Sequence, residues 1–160
     1  MKAHLEQHRF LMGSRPGASD FAAYGQLTQL VKFDPTPMAI AIREAPRIYA
    51  WVDLVEDLSG LEVDDTDWIT RETIPETLAP LFKEMGRVYV PVMQANAKAI
   101  MSGAKSVQVE VDGRPWTQEP FAYQARCLGW IREEYAKLDG AARRVVEPLL
   151  ASTGCKPLLG

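Results

Sequence analysis

The run Phe10-Leu-Met-Gly-Ser-Arg-Pro-Gly-Ala-Ser-Asp-Phe21 constrains this chain most, because it dictates where one helix stops and the next begins. Gly13 and Pro16 end a helical segment, since glycine loses the most backbone freedom on ordering and proline lacks the N–H a helix needs. Gly17 is a tolerable N-cap, and Asp20, three residues on, can accept from the cap's free N–H. Pro16 and Phe21 flank this box as a hydrophobic staple. Beyond it Phe21, Tyr24, Leu27, Leu30 and Val31 recur at helical spacing, which predicts a helix over 18–33. Ala22 and Gly25 are small neighbours that would let another helix approach closely. Asp34-Pro-Thr-Pro37 stops the helix, because the residue before a proline is pushed out of the α region.

The same punctuation divides the rest of the chain. A short helix is expected over 38–44, followed by a second with Pro46 near its start and Tyr49, Val52, Val55 and Leu58 on one face, ended by Ser59-Gly60. Residues 61–70 read as a loop or a single turn. Thr73-Ile-Pro-Glu76 is a capping box that opens the longest helix, with Leu78, Leu81, Phe82, Met85, Val88, Tyr89, Val92, Asn96 and Ile100 along it. Pro80 and Pro91 should bend it, Gly86 should weaken it by ~1 kcal/mol relative to Ala, and Gly103 closes it. Val107, Val109 and Val111 alternate with polar residues before Asp112-Gly113, a hairpin signal, and Pro115 makes the return strand an edge. From Phe121 the pattern is helical again, with Leu128 on one apolar stripe and Tyr123, Cys127 and Trp130 on a second. Asp139-Gly140 precedes a last helix carrying Val145, Val146, Leu149 and Leu150, which Gly154 ends.

The run from Gly13 to Phe21 resembles the segment that opens the buried central helix in the C-terminal domain of glutathione S-transferases, typically G-x-[RK]-P-[ST]-x-A-D-F. Gly13, Arg15, Pro16, Asp20 and Phe21 match that pattern, while Gly17 stands where the capping Ser or Thr belongs and Ser19 replaces a small apolar residue. The likeness continues through the Asp34-Pro-Thr-Pro37 break to Ala45-Pro-Arg-Ile-Tyr-Ala-Trp-Val52, which is similar to the A-P-x-[VL]-x-x-W-V stretch of bacterial members. Tyr123-Gln-Ala-Arg-Cys-Leu-Gly-Trp-Ile-Arg132 resembles a C-terminal extension in a bacterial subgroup. The resemblance implies one domain over 1–160, with a family-like core over 1–60 and an extension over 61–160. Its fold would be an all-α helical bundle of the glutathione S-transferase C-terminal type, carrying one small β-hairpin near 106–118.

In that family glutathione sits mainly on an N-terminal thioredoxin-like domain, which supplies the catalytic Tyr, Ser or Cys. Only a short stretch precedes Gly13, so that half is expected to be absent from this chain, and no catalytic or cofactor-binding residue carries over. The function implied is that of a co-substrate-pocket and dimerisation domain, a transferase only if completed by a thioredoxin-like domain that brings glutathione. The alternative is a free-standing, non-catalytic module that binds an apolar small molecule or a protein. An unrelated enzyme in the uncovered groove ranks last. A homodimer is the expected cover for apolar surface that the missing half leaves bare.

Charge narrows the partners. Asp53, Glu56, Asp57, Glu62, Asp64, Asp65, Asp67, Glu72 and Glu76 are offset over that stretch by Arg71 alone, and the net charge is −3. There is no basic stripe to neutralise phosphates, so nucleic acid is an unsuitable partner. Two cysteines, Cys127 and Cys155, are too few and too far apart for a disulfide framework or a metal pair, which points to a reducing cytoplasm. No apolar run approaches the ~20 residues of a membrane span, so no membrane partner is expected.

Several residue groups have side chains capable of chemistry. His4 and His8 stand four apart as a metal pair does, but a third ligand is wanting and such terminal pairs are commonly solvated, so no metal is assigned. Asp20 reads as a helix-start acceptor whose loss should cost ~1 kcal/mol rather than as a functional carboxylate. Trp51 and Trp130 read as core. Trp68 and Trp116 lie in irregular or edge segments and, with Met85, Tyr89 and Met93 beside the Pro91 bend, form the candidate ligand pocket. Cys127 reads as a small hydrophobe, and Glu133 as the surface partner of Lys137.

Overall fold

A computed structural model describes residues 1–70, 72 and 74–160, which divide into two compact units, Met1–Thr77 and Leu78–Gly160. It is mostly helical, with one two-stranded antiparallel hairpin. The Thr73-Ile-Pro-Glu76 box lies outside the described residues at Thr73. Among the described residues no helix is long and apolar enough to cross a membrane.

In the first unit, α1 (Lys2–Leu5) leads through a turn to α2 (Ala18–Leu27), which starts directly after Gly17. The expected helix over 18–33 is α-helical only to Leu27; Thr28–Phe33 forms a wider π turn, closed by the Asp34 N–H donating to Gln29 O at 3.0 Å. Asp34 itself is extended, as the following proline demands, and its carboxylate accepts from the Thr36 N–H. α3 therefore runs Pro35–Glu44, three residues longer at its start than expected, because Pro35 takes the first helical position where no N–H is needed. α4 (Pro46–Glu56) begins with a proline in the same way. Leu5, Phe10, Val31, Ala41, Trp51, Val52 and Val55 form the core of this unit, with Tyr24, Leu27, Ile48 and Leu54 packed around them. Within this unit Ala22 and Gly25 are both exposed, and among the described residues nothing lies within 4 Å of a Cβ built on Gly25.

In the second unit, α5 (Ala79–Glu84), a π turn (Met85–Tyr89) and α6 (Val90–Ser102) make one continuous helical run. The π turn sits just ahead of Pro91, whose ring would crowd the carbonyl four residues back; widening the turn, with Val90 N–H donating to Met85 O, absorbs the misfit. Gly103, at φ +66°, closes α6 in the left-handed region. β1 (Val107–Val111) pairs with β2 (Arg114–Gln118) across Asp112-Gly113, both at positive φ, so Val109 faces Trp116 and Val107 faces Gln118. α7 (Ala122–Lys137) and α8 (Gly140–Ser152) follow, and Asp139 caps α8 by accepting from the Ala142 N–H.

Val90, Met93, Leu128, Cys155 and Leu158 form the core of the second unit. Buried Asn96 ties α6 to the start of α7, donating from Nδ2 to Phe121 O and accepting from the Phe121 N–H at Oδ1. Of the second stripe expected on α7, Cys127 packs against this core while its two aromatic members do not. Tyr123 and Trp130 are both exposed and rest edge-on against each other at 5.9 Å, so Trp130, at 45% exposure, is a surface residue and not the core residue expected. Lys137 bonds Glu134 at 2.5 Å, one residue nearer than the Glu133 expected.

Candidate functional site

The best-built corner of the first unit is where the turn after α1 meets the segment around Trp68. The Ser14 N–H donates to Asp67 O and the Ile69 N–H donates to Met12 O, both at 2.8 Å, so two distant stretches join as a short antiparallel bridge at Gly13 and Trp68. Gly13 is required there: its φ is +126°, and a Cβ would stand 2.4 Å from Asp67 O. Gly17 is needed for room, since a Cβ on it would meet Met12 Cγ at 2.8 Å and the Trp68 ring at 3.0 Å. The absent Ser or Thr at this cap therefore has a steric reason.

Asp20 locks the corner from beneath. It is fully buried, and its carboxylate accepts from the Gly17 N–H at 3.0 Å, from the Leu11 N–H at 2.6 Å and from the Met12 N–H at 3.3 Å. It thus starts α2 and also holds the preceding turn, a reach that residue spacing alone did not reveal.

Trp68 is 38% exposed and carries the Arg15 guanidinium over its ring at 4.3 Å. Arg15 also donates to Asp64 O and to the Asp65 carboxylate, each at 3.2 Å. A cavity of about 830 Å³ opens beside the ring, with Met12, Trp68 and Ile69 as apolar walls and Asp65, Thr66 and Glu72 supplying acceptors. A second, of about 300 Å³, takes in His8, Ser14 and Trp68. Asp64 caps the turn Asp65–Asp67; the Thr66 N–H and then the Thr66 hydroxyl hold its carboxyl below the usual range. The corner offers aromatic contact and hydrogen-bond acceptance, the chemistry of recognition.

The five residues expected to form a ligand pocket come from both units. Trp68 belongs to the first unit, the other four to the second. Met93 is 1% exposed and fills space in the core, with Met85 packed against that core. Tyr89 is partly exposed on the π turn, and its phenol is pushed up from its ordinary value first by burial and then by the charge of Cys127. Trp116 lies on β2 at 49% exposure, its Nε1–H donating to Gln118 Oε1.

The solvated histidine pair expected at the N-terminus is also corrected. His4 is fully buried, stacked on His8 at 4.5 Å, with Nε2 3.2 Å from Phe10 O and Nδ1 2.8 Å from Thr77 Oγ1. Since the carbonyl only accepts, Nε2 carries the proton and Nδ1 receives the Thr77 hydroxyl. Burial, with His8 second, pushes the His4 imidazole below its ordinary value. A four-residue helix has too little periodicity to announce such burial. Among the described residues, no three or more of His, Cys, Asp and Glu group as a metal would need. Cys127 and Cys155 are both free thiols, and Cys155 Sγ donates to Phe82 O at 3.1 Å.

No family model matches the chain, nor does any curated protein or solved structure.

Proposed function

We propose that this chain serves as the non-catalytic helical module of a glutathione transferase-like protein, contributing a co-substrate surface and a dimer contact. The observation that carries the reading is Asp20. A fully buried carboxylate that accepts from the Gly17, Leu11 and Met12 N–H groups at the start of α2 is the structural use that the G-x-[RK]-P…D-F resemblance implies for that residue. The exposed apolar side chains of Phe21, Leu30, Phe33, Ile40 and Ile42 in the same unit supply surface for a dimer contact or a thioredoxin-like domain. On this reading glutathione is gripped by that domain, and transferase chemistry depends on it.

Calorimetric titration of the chain with glutathione should give no saturable heat; saturable binding at micromolar to millimolar concentration would overturn the assignment of thiol binding to another domain. Coding sequence upstream of Met1 separates two versions of the idea: an in-frame thioredoxin-like sequence fits the covalent pair, a ribosome-binding site the free module. A free-standing binding module is the second reading, favoured by the cavity beside Trp68 with its walls of Met12, Trp68 and Ile69.

A further inference from the structure

One side of α4 in the first unit carries a different constellation. Arg47, Ala50, Trp51 and Leu54 stand at i, i+3, i+4 and i+7, so they share one side of the helix. With Leu5 at the end of α1 and Arg9 on the turn after it, they line a cavity of about 250 Å³. Both arginines are exposed, and neither has an ion-pair partner among the described residues, in a chain whose net charge is −3. Trp51 is 3% exposed, and its Nε1–H is shut off from solvent without a hydrogen-bond partner. A buried indole N–H ordinarily finds an acceptor.

The two charged side chains lining this cavity, Arg9 and Arg47, are both donors that accept nothing. The complement is a ligand that only accepts and bears negative charge, for which a carboxylate is well shaped because a guanidinium grips both its oxygens at once. The remaining lining, Leu5, Ala50, Leu54 and the Trp51 ring, is apolar and suits a short hydrocarbon body. The volume lies below the ~300–1,000 Å³ of pockets for drug-sized molecules, which limits the ligand to a small one.

We propose that the cavity formed by Leu5, Arg9 and the Arg47–Leu54 face of α4 binds a small amphipathic carboxylate. Arg9 and Arg47 hold its charge, and the aliphatic and indole surfaces hold its body. The proposal uses only α1, α4 and the turn at Arg9, and stands apart from the family reading above.

The test is titration of the full chain with hexanoate, followed through the indole ¹H–¹⁵N signal of Trp51, which is assigned by its loss in Trp51→Phe. The signal should move saturably with hexanoate, and should stay in place with hexan-1-ol and with sodium chloride at equal ionic strength. Arg9→Gln with Arg47→Gln should weaken hexanoate binding at least tenfold while the circular dichroism is unchanged. An absent or unsaturable shift, an equal shift with hexanol or chloride, or full affinity in the folded double variant would each overturn the proposal. Should the double variant lose its fold, the comparison of hexanoate with hexanol on the unaltered chain decides alone.

Discussion

Replacing Gly86 with alanine should destabilise the C-terminal unit, although helix propensity alone predicts the opposite. Alanine is favoured over glycine inside a helix by ~1 kcal/mol. A Cβ at residue 86, however, would stand 1.9 Å from Thr153 O and 3.0 Å from the carbonyl carbons of Thr153 and Gly154. The Thr153 oxygen must retreat by more than an ångström to reach even a tight contact. It has little freedom to do so: two residues on, Cys155 is buried, its N–H donates to Leu150 O at 2.9 Å and its thiol to Phe82 O at 3.1 Å. Overpacking of this kind costs ~1–3 kcal/mol, and backbone as the obstacle puts it at the upper end. Set against the propensity gain, the net loss is about 2 kcal/mol, or roughly 8–16 °C in Tm for a unit of this size. Urea unfolding provides the assay, with Gly25→Ala and Gly129→Ala as controls, since nothing lies within 4 Å of a Cβ at either site. Both controls should gain up to ~1 kcal/mol. A Gly86→Ala variant as stable as the wild type would refute the reasoning.

Asp20→Ala should cost about 3 kcal/mol in denaturant unfolding rather than the ~1 of an ordinary cap, because the Leu11, Met12 and Gly17 N–H groups lose a charged acceptor together; a loss under about 1 kcal/mol would contradict the triple clamp. His4 makes stability depend on pH. Its folded-state pKa lies below the unfolded ~6.5, so the unfolded chain binds more protons, and stability should fall as pH drops from about 6.5 through the lowered folded value. Unfolding free energy measured between pH 8 and 5 should show this slope in the wild type and a shallower one in His4→Gln; identical slopes would remove His4 as the cause.

Local rules made the breaks legible. The start of α2 after Gly17, the stop at Asp34-Pro35, Pro46 at the head of α4, the left-handed Gly103 and the Asp112-Gly113 turn all follow from the backbone needs of a few adjacent residues. The π turns at Thr28–Phe33 and Met85–Tyr89 escaped the reading because apolar spacing barely distinguishes a turn of 3.6 residues from a slightly wider one. Exposure was harder still. Trp51 and Trp130 have the same helical surroundings in sequence, yet one is core and the other surface, since burial depends on what packs from elsewhere in the chain. The candidate corner has the same difficulty: Gly13 and Arg15 stand in a conspicuous motif, but their partners Asp67 and Trp68 come from a loop whose sequence signals only a turn.

The central claim, that the first unit offers an apolar helical face for association, is met most directly by multi-angle light scattering of the chain across a concentration series, beside Phe33→Glu, which places a charge on a side chain that is 81% exposed. The account predicts a dimer for the unaltered chain and a monomer for the variant. A monodisperse monomer at all concentrations, with little binding of a hydrophobic dye, would contradict it.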